Sequence, residues 1–414
     1  MRDRVFVCRC SVTIRRYRDI ELTCVVMALI LIRNGKCLVG GSLVSTDLGL
    51  LRVDSSSRIE TDPRGMVTTT IDAAGLLVLP GLVDIHGDAF ERQIMPRPAV
   101  TFALGLALAE TDRQLVANGI TTAFHGLTWS WEPGFRGAES ARAFLTALEA
   151  FKNKSLVDHR LHLRQEVYNL DAEAEIADWI AGRRIDLLAF NDHLTGTIKV
   201  RHRADKMREM IRRSGLGEGD FMQLVDRLAS REHDVTSSIE RLAKIALRVG
   251  VPMLSHDDLT TADRERFRAL GSRISEFPVR ENVAEAAVAA GDLTVFGAPN
   301  VLRGGSHTGC PSAAEMVQKG KCSVLASDYY YPSLLHAPFV LEERYGVSLP
   351  QAWELVSGAP ARAAGLMDRG QIAHGMRGDV ILVERRGPLD VSVVCVISNG
   401  RLVHMTTAEL LRSN

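Results

Sequence analysis

From Ala28 to about Pro80, apolar and polar residues alternate in short runs with no helical period, the pattern of half-buried strands. LILIRNGKCLVG reads as a hairpin turning at Asn34-Gly35, and LLRVDSSSRIETD and VTTTIDAAGLLVLPG continue in the same texture. After Gly81 short apolar strands alternate with amphipathic helices, the signature of repeated βα units and a parallel sheet. Eight strands are predicted, at 82 to 86, 120 to 126, 159 to 167, 185 to 193, 251 to 257, 273 to 279, 293 to 300 and 322 to 330. Helices such as ESARAFLTALEAF, SSIERLAKIALRVG, TADRERFRALG and ENVAEAAVAAG lie between them, the second and fourth running into glycine as a C-terminal cap would. Eight such repeats in roughly 250 residues suit a closed (β/α)8 TIM barrel better than an open sheet.

Strand texture returns in GMRGDVILVERRGPLDVSVVCVISNGRLVH, with a second hairpin at Asn399-Gly400. The expected organisation is therefore α/β. Residues 81–371 form the barrel, and residues 27–80 plus 372–414 form a small β-sandwich domain built from both chain ends. Residues 1–26 hold six arginines between Arg2 and Arg18. They are read as an extension outside the fold, disordered or non-native, with Met27 as the natural start.

Composition narrows the function classes. Fifty Lys and Arg balance fifty Asp and Glu over 414 residues, so a general affinity for nucleic acid or an anionic membrane is not expected. An anionic small-molecule partner would need a local basic cluster. No apolar run approaches the roughly 20 residues of a membrane span. The seven cysteines include no CxxC pair, which fits reduced thiols in a cytoplasmic enzyme. A homodimer is allowed by these features and not specified by them.

Chemistry is sought where barrel strands stop, because the C-terminal ends of the strands form the active face of this fold. Those ends are rich in metal-ligand types: His86-Gly87-Asp88, Arg164-Gln165-Glu166, Asn191-Asp192-His193, His256-Asp257-Asp258, Glu276 and Asp328. Residues two apart share a strand face, so His86 and Asp88 can converge on one ion. The expected metal set is His86, Asp88, Glu166, His193, His256 and Asp328, holding one or two divalent transition ions, zinc first and manganese or iron as alternatives. Such an ion lowers the pKa of its bound water toward about 7. Asp328 and His256 are the expected catalytic groups, Asp328 by moving the proton. His193 has three readings, as a ligand of a second metal, a substrate donor or a partner orienting a carboxylate. Glu276 stays an open candidate, and His125, His159 and His162 read as structural. For a phosphorylated anion the candidate donors are Arg303 with the Gly304-Gly305 amides, Ser306, His307, Tyr329, Arg92, Arg97 and Lys199.

LVLPGLVDIHGD resembles the entry motif of the amidohydrolase superfamily, with Asp88 where His-x-His is usual. HGDAFERQIMPRPAVTF, SHDD (255–258), ISEFP (274–278), GAPNVLRGGSHTG (297–309) and SDYYYPSLL (327–335) resemble its branch of ribose 1-methylphosphonate 5-triphosphate diphosphatases from bacterial phosphonate use. The resemblance runs from Met27 onward. It implies metal positions at His86, Asp88, Glu166, His256 and Asp328, and hydrolysis of a ribose 1-alkylphosphonate 5-triphosphate with release of diphosphate. Departures fall at Asp192-His193-Leu194-Thr195-Gly196-Thr197-Ile198-Lys199, which lacks the branch's Gln-Arg-Gln, and at Ser306-His307-Thr308-Gly309-Cys310. They keep a second reading open, hydrolysis of a C–N bond as in the superfamily's deacetylases, deaminases and cyclic amidases.

Overall fold

The computed structural model describes residues 11–13, 23–53, 56–60, 67–201, 204–306 and 309–412. All eight expected barrel strands form, in chain order, as one parallel sheet. They are β1 (Leu82–Gly87), β2 (Ile120–Trp129), β3 (Asp158–Glu166), β4 (Leu187–Asn191), β5 (Met253–His256), β6 (Ile274–Glu276), β7 (Leu293–Gly297) and β8 (Val324–Ala326). Inward residues such as Ile85, Phe124, Leu187, Leu254, Val295 and Val324 pack against one another, none more than 1% exposed. Each buried aliphatic side chain of this size stabilises the fold by roughly 1.5–3 kcal/mol. Outward residues such as Leu161 and Leu163 of β3 share a second core with Phe144, Leu148 and Ile176 of the surrounding helices.

Several strands end earlier than the apolar pattern suggests, because a helix begins there. Asp192 accepts a hydrogen bond from Thr195 N and caps the helix His193–Val200, which stops β4 at Asn191. Gly297 opens the helix Ala298–Arg303, with Pro299 in its first turn.

The barrel closes at one point. Among the described residues the one backbone bridge between strands β1 and β8 joins Gly87 and Asp328, where Asp328 N donates to His86 O at 2.9 Å and Asp88 N to Asp328 O at 3.0 Å. Toward the other end the two strands are held apart by Leu355 and Val356, whose carbonyls accept from Leu325 N and Val83 N. A buried carboxylate, Asp84, pins the seam from outside by accepting from Ser327 N at 3.0 Å, from Ser327 Oγ and from His86 N. A Cβ on Gly87 would lie 2.7 Å from Asp84 Oδ2, so only glycine fits between the two metal-ligand types.

Both chain ends build a sandwich of two sheets. One contains Leu411–Arg412, Thr69–Asp72, Thr23–Arg33, Leu48–Val53 and Ser56–Glu60, with Ser11–Thr13 beside Thr23–Arg33. The other contains Arg401–Met405, Val391–Ser398, Val380–Arg385, Leu77–Pro80, Lys36–Val39 and Ser42–Ser45. Strand alternation docks the second sheet onto the barrel. Val380 and Leu382 face the sandwich core, whereas Ile381 and Val383 pack with Leu115, Val116 and Ile120.

The turn at Asn34-Gly35 corrects the hairpin expectation. Thr23–Arg33 and Lys36–Val39 lie in different sheets, so the turn is a corner between them. Asn34 adopts φ 64° and donates to Asp72 Oδ1, and a Cβ on Gly35 would lie 2.5 Å from Val78 Cγ2. The hairpin at Asn399-Gly400 forms as expected. Most of residues 1–26 fall outside the described residues. Among the described residues no helix is long and apolar enough to cross a membrane.

Candidate active site

A local irregularity aims the first histidine. Ala123 pairs with Asp84 but His125 pairs with Gly87, so β1 carries one extra residue against β2. Extra residues of this kind re-aim side chains. Here Ile85 and His86, although consecutive, both face the interior: Ile85 joins the apolar layer, and His86 reaches across the barrel to β6. Gly126 of β2 lies against this ring, where a Cβ would sit in ordinary contact at 3.5 Å from His86 Nε2.

Glu276 is the hub. Its two oxygens accept from His86 Nδ1 and His256 Nδ1, each at 2.7 Å, and the side chain is fully buried. Burial alone would raise its pKa, but His86, His162 and the two hydrogen bonds hold it well below the usual carboxylate range. An ionised carboxylate only accepts, so both imidazoles carry their proton on Nδ1 and present Nε2 lone pairs to the mouth of the barrel. Burial opposes charge on His86, yet Glu276 outweighs it and raises the pKa, while on His256 burial prevails and lowers it. His162, wholly buried with Nδ1 on Ile85 O, is pushed down to about 3 by burial and stays neutral.

Besides the buried cluster of His86, His162 and Glu276, two groups of three donors result at the rim. His86, Asp88 and Asp328 place one ligand atom each within 4.8 Å of one another, and so do His193, His256 and Asp257. Of the expected metal residues, His86, Asp88 and Asp328 thus fall in one set and His193 and His256 in its neighbour, with the stacked His86 and His256 rings 5.6 Å apart between them. Glu166 belongs to neither set among the described residues. It accepts from His193 N at 3.1 Å and from His193 Nδ1, thereby orienting that ring. Asp328 is pushed up to about 6 by burial and then by the neighbouring Asp88 carboxylate.

Backbone conformation concentrates at the same rim. Asp257, Phe277 and Asp328, each just past the end of β5, β6 or β8, have φ between 53° and 57°, the left-handed region that costs non-glycine residues energy. Hydrogen bonds from Asp257 N to Glu276 O and from Phe277 N to Val295 O hold the first two there.

A cavity of about 200 Å3 opens over the first donor set and includes Arg164, Arg303, Ser306 and Tyr329 in its lining. Arg303 Nη1 donates to Tyr329 OH at 3.4 Å, and Arg92 Nη2 donates to Tyr329 O. Arg97 and Lys199 are exposed and do not line this cavity. His307 lies outside the described residues.

Sequence reasoning missed Arg164, Asp257 and the seam carboxylate Asp84. Arg164 had a readable signal: in LHLRQE the outward positions are Leu161 and Leu163, so His162, Arg164 and Glu166 form a polar inward face. Its guanidinium is 6% exposed, with Nη2 3.0 Å from His256 Nε2 and Nη1 3.6 Å from Asp88 Oδ2. With its amide oriented to satisfy both partners, Asn191 accepts from Arg164 Nη2 and Nε.

No family profile matches the sequence. The chain is 31% identical over 363 residues to α-D-ribose 1-methylphosphonate 5-triphosphate diphosphatase of Escherichia coli K12, covering 86% of this chain and 95% of that protein. It is 24% identical over 391 residues to adenine deaminase 2 of Rhizobium meliloti, covering 88% of this chain and 55% of that longer protein. Among solved structures, an amidohydrolase from a Sargasso Sea environmental sample superposes with a TM-score of 0.60 at 16% identity, covering 91% of this chain and 93% of its own. Molinate hydrolase superposes at 0.59 and 13% identity, covering 91% and 95%.

Proposed function

Because this chain belongs to the amidohydrolase superfamily, in the branch of the ribose 1-methylphosphonate 5-triphosphate diphosphatase, we propose that it is a metal-dependent hydrolase that cleaves the phosphoanhydride of a ribose 1-alkylphosphonate 5-triphosphate and releases diphosphate. The observation that carries the reading is a single cavity that combines His86, Asp88 and Asp328 with two guanidinium groups, those of Arg164 and Arg303. Carbonyl substrates need one electrophilic anchor, whereas a triphosphate chain needs several positive donors.

The residues fit a divalent transition ion such as zinc: an imidazole nitrogen fixed by a buried carboxylate and two carboxylates, all within 4.8 Å. Such an ion, when bound, acts as a Lewis acid and lowers the pKa of coordinated water. Arg303 and Tyr329 orient the phosphate chain from the rim, with Arg92 supporting Tyr329 from behind. Asp328, with a pKa near neutrality, takes the proton released as water attacks phosphorus and returns it to the departing oxygen. We place the reaction in the cytoplasm, in keeping with the thiols of Cys37, Cys322 and Cys395, which form no disulfide among the described residues.

The likeness to adenine deaminases supports a second reading, attack at carbon with release of ammonia. One experiment separates them. The metal-loaded protein is offered sugar 5-triphosphates, adenine and N-acyl amino acids, and diphosphate, ammonia and carboxylate release are each measured. Diphosphate release is the expected result. Ammonia or carboxylate release without diphosphate would overturn the proposal.

A further inference from the structure

The two donor sets are unequal at their imidazoles, because a guanidinium already engages one of them. His256 Nδ1 donates to Glu276, so Nε2 is the only nitrogen of that ring with a lone pair to offer. Arg164 Nη2 lies 3.0 Å from it and donates to it. One lone pair in the ring plane serves one partner, so an ion ligated by His256 and the hydrogen bond from Arg164 exclude each other. Displacing the guanidinium is unfavourable. The residue is 6% exposed, and its guanidinium lies 3.6 Å from Asp88 Oδ2 and is held by the Asn191 amide.

The first set differs. Among the described residues no guanidinium donates to His86 Nε2, and Asp88 and Asp328 supply two carboxylates beside it. Arginine stays protonated at any relevant pH, so its charge is permanent.

We infer that Arg164 takes the place of a second metal ion: the chain holds one divalent ion, at His86, Asp88 and Asp328, while the Arg164 guanidinium neutralises the His193, His256 and Asp257 side and faces the bound oxyanion. The inference rests on the hydrolase reading above and specifies its metal count. Arg164 lines the cavity, and the N–H groups of Nη1 remain after His256 and Asn191 are served, so it can donate to an oxyanion beside Asp88.

The test is metal stoichiometry by elemental analysis and by Co2+ titration followed in the visible spectrum, on the full-length protein. Wild type is expected to saturate at one ion per chain. Arg164→Met, which removes the donors and the charge, is expected to saturate at two, with a second Co2+ band, and Arg164→Gln serves where the methionine variant does not fold. Two ions in wild type would overturn the inference while leaving the hydrolase reading intact. One ion in both wild type and folded variants would also overturn it, since the second set would then fail for another reason. No ion in wild type would overturn the metal reading on which it rests.

Discussion

Replacing Glu276 by glutamine tests how the site is organised with the smallest change of shape. The carboxylate accepts from two imidazoles at 2.7 Å each and is fully buried. Glutamine keeps the volume but offers one accepting oxygen and one donating NH2. One imidazole can still donate to the oxygen. The other meets a donor and must move its proton to Nε2, where it turns an N–H rather than a lone pair toward the cavity. Losing an outer partner of a ligating histidine typically costs 10- to 100-fold in metal affinity, or about 1.4–2.7 kcal/mol. The metal-free protein should lose far less, because the variant also removes a charge held wholly out of water. The expected outcome of chelator competition on Glu276→Gln is therefore affinity weakened by about 10- to 100-fold, with a melting temperature of the metal-free protein within a few degrees of wild type. Affinity within twofold of wild type in a folded variant would refute the orienting role.

Asp328→Asn should lower kcat by about 10^2- to 10^4-fold, the usual contribution of a positioned proton carrier. It should leave thermal stability nearly unchanged, because the seam bonds of residue 328 come from its backbone; full activity would remove Asp328 from the chemistry. Arg303→Ala should raise KM for a triphosphate substrate about tenfold with little loss of kcat, as expected for one charge-assisted contact of about 1.4 kcal/mol at an exposed rim; an unchanged KM would place the phosphates elsewhere. Asp158 gives a pH test away from the site. Burial opposes its charge, but Arg160 and Arg369 outweigh this and lower its pKa, so its stabilisation is present above the unfolded value of about 3.9 and is lost as pH falls through the folded value. Asp158→Asn should thus cost about 1.5–3 kcal/mol at pH 7, through the bond from the buried Arg369 at 2.6 Å, and the difference from wild type should shrink as pH falls below the unfolded value and vanish once the folded carboxyl is protonated. A difference independent of pH would show that packing rather than charge carries it.

The eight strands were legible because each is a short apolar run stopped by a polar residue, and most ends were placed within a few residues. The excess length at 185–193 and 293–300 arose because the chain enters a helix at Asp192 and Gly297, and a strand end and a helix cap look alike when both are polar. Asn34-Gly35 was misread for a related reason. A tight turn fixes the local reversal but not whether the flanking strands pair with each other or with different sheets. Ligand types at strand ends were visible, since imidazoles and carboxylates stand out there. Their division into two sets was not, because it depends on the extra residue in β1 and on Glu276 spanning β1 and β5 from β6. Lys199 and Arg97 were plausible from sequence position alone, but nearness to a strand end does not say which way a side chain leaves the chain.

Closure of the barrel and assembly of the first donor set are one event. Among the described residues Gly87 and Asp328 make the one backbone bridge between β1 and β8, and they stand directly beside His86 and Asp88. A parallel sheet buried on both faces tolerates few unpaired backbone groups, so a seam with one bridge needs other acceptors, and the carbonyls of Leu355 and Val356 and the carboxylate of Asp84 supply them. The arrangement ties Asp328 to His86 through the backbone rather than through side-chain packing, which holds the two ligand types in fixed relation. It also separates the roles of the three aspartates at this end of the barrel: Asp84 secures the seam, Asp88 and Asp328 face the cavity. The left-handed backbone at Asp328 is then a consequence of closure, since the residue must bond to β1 on both sides while turning its carboxylate inward.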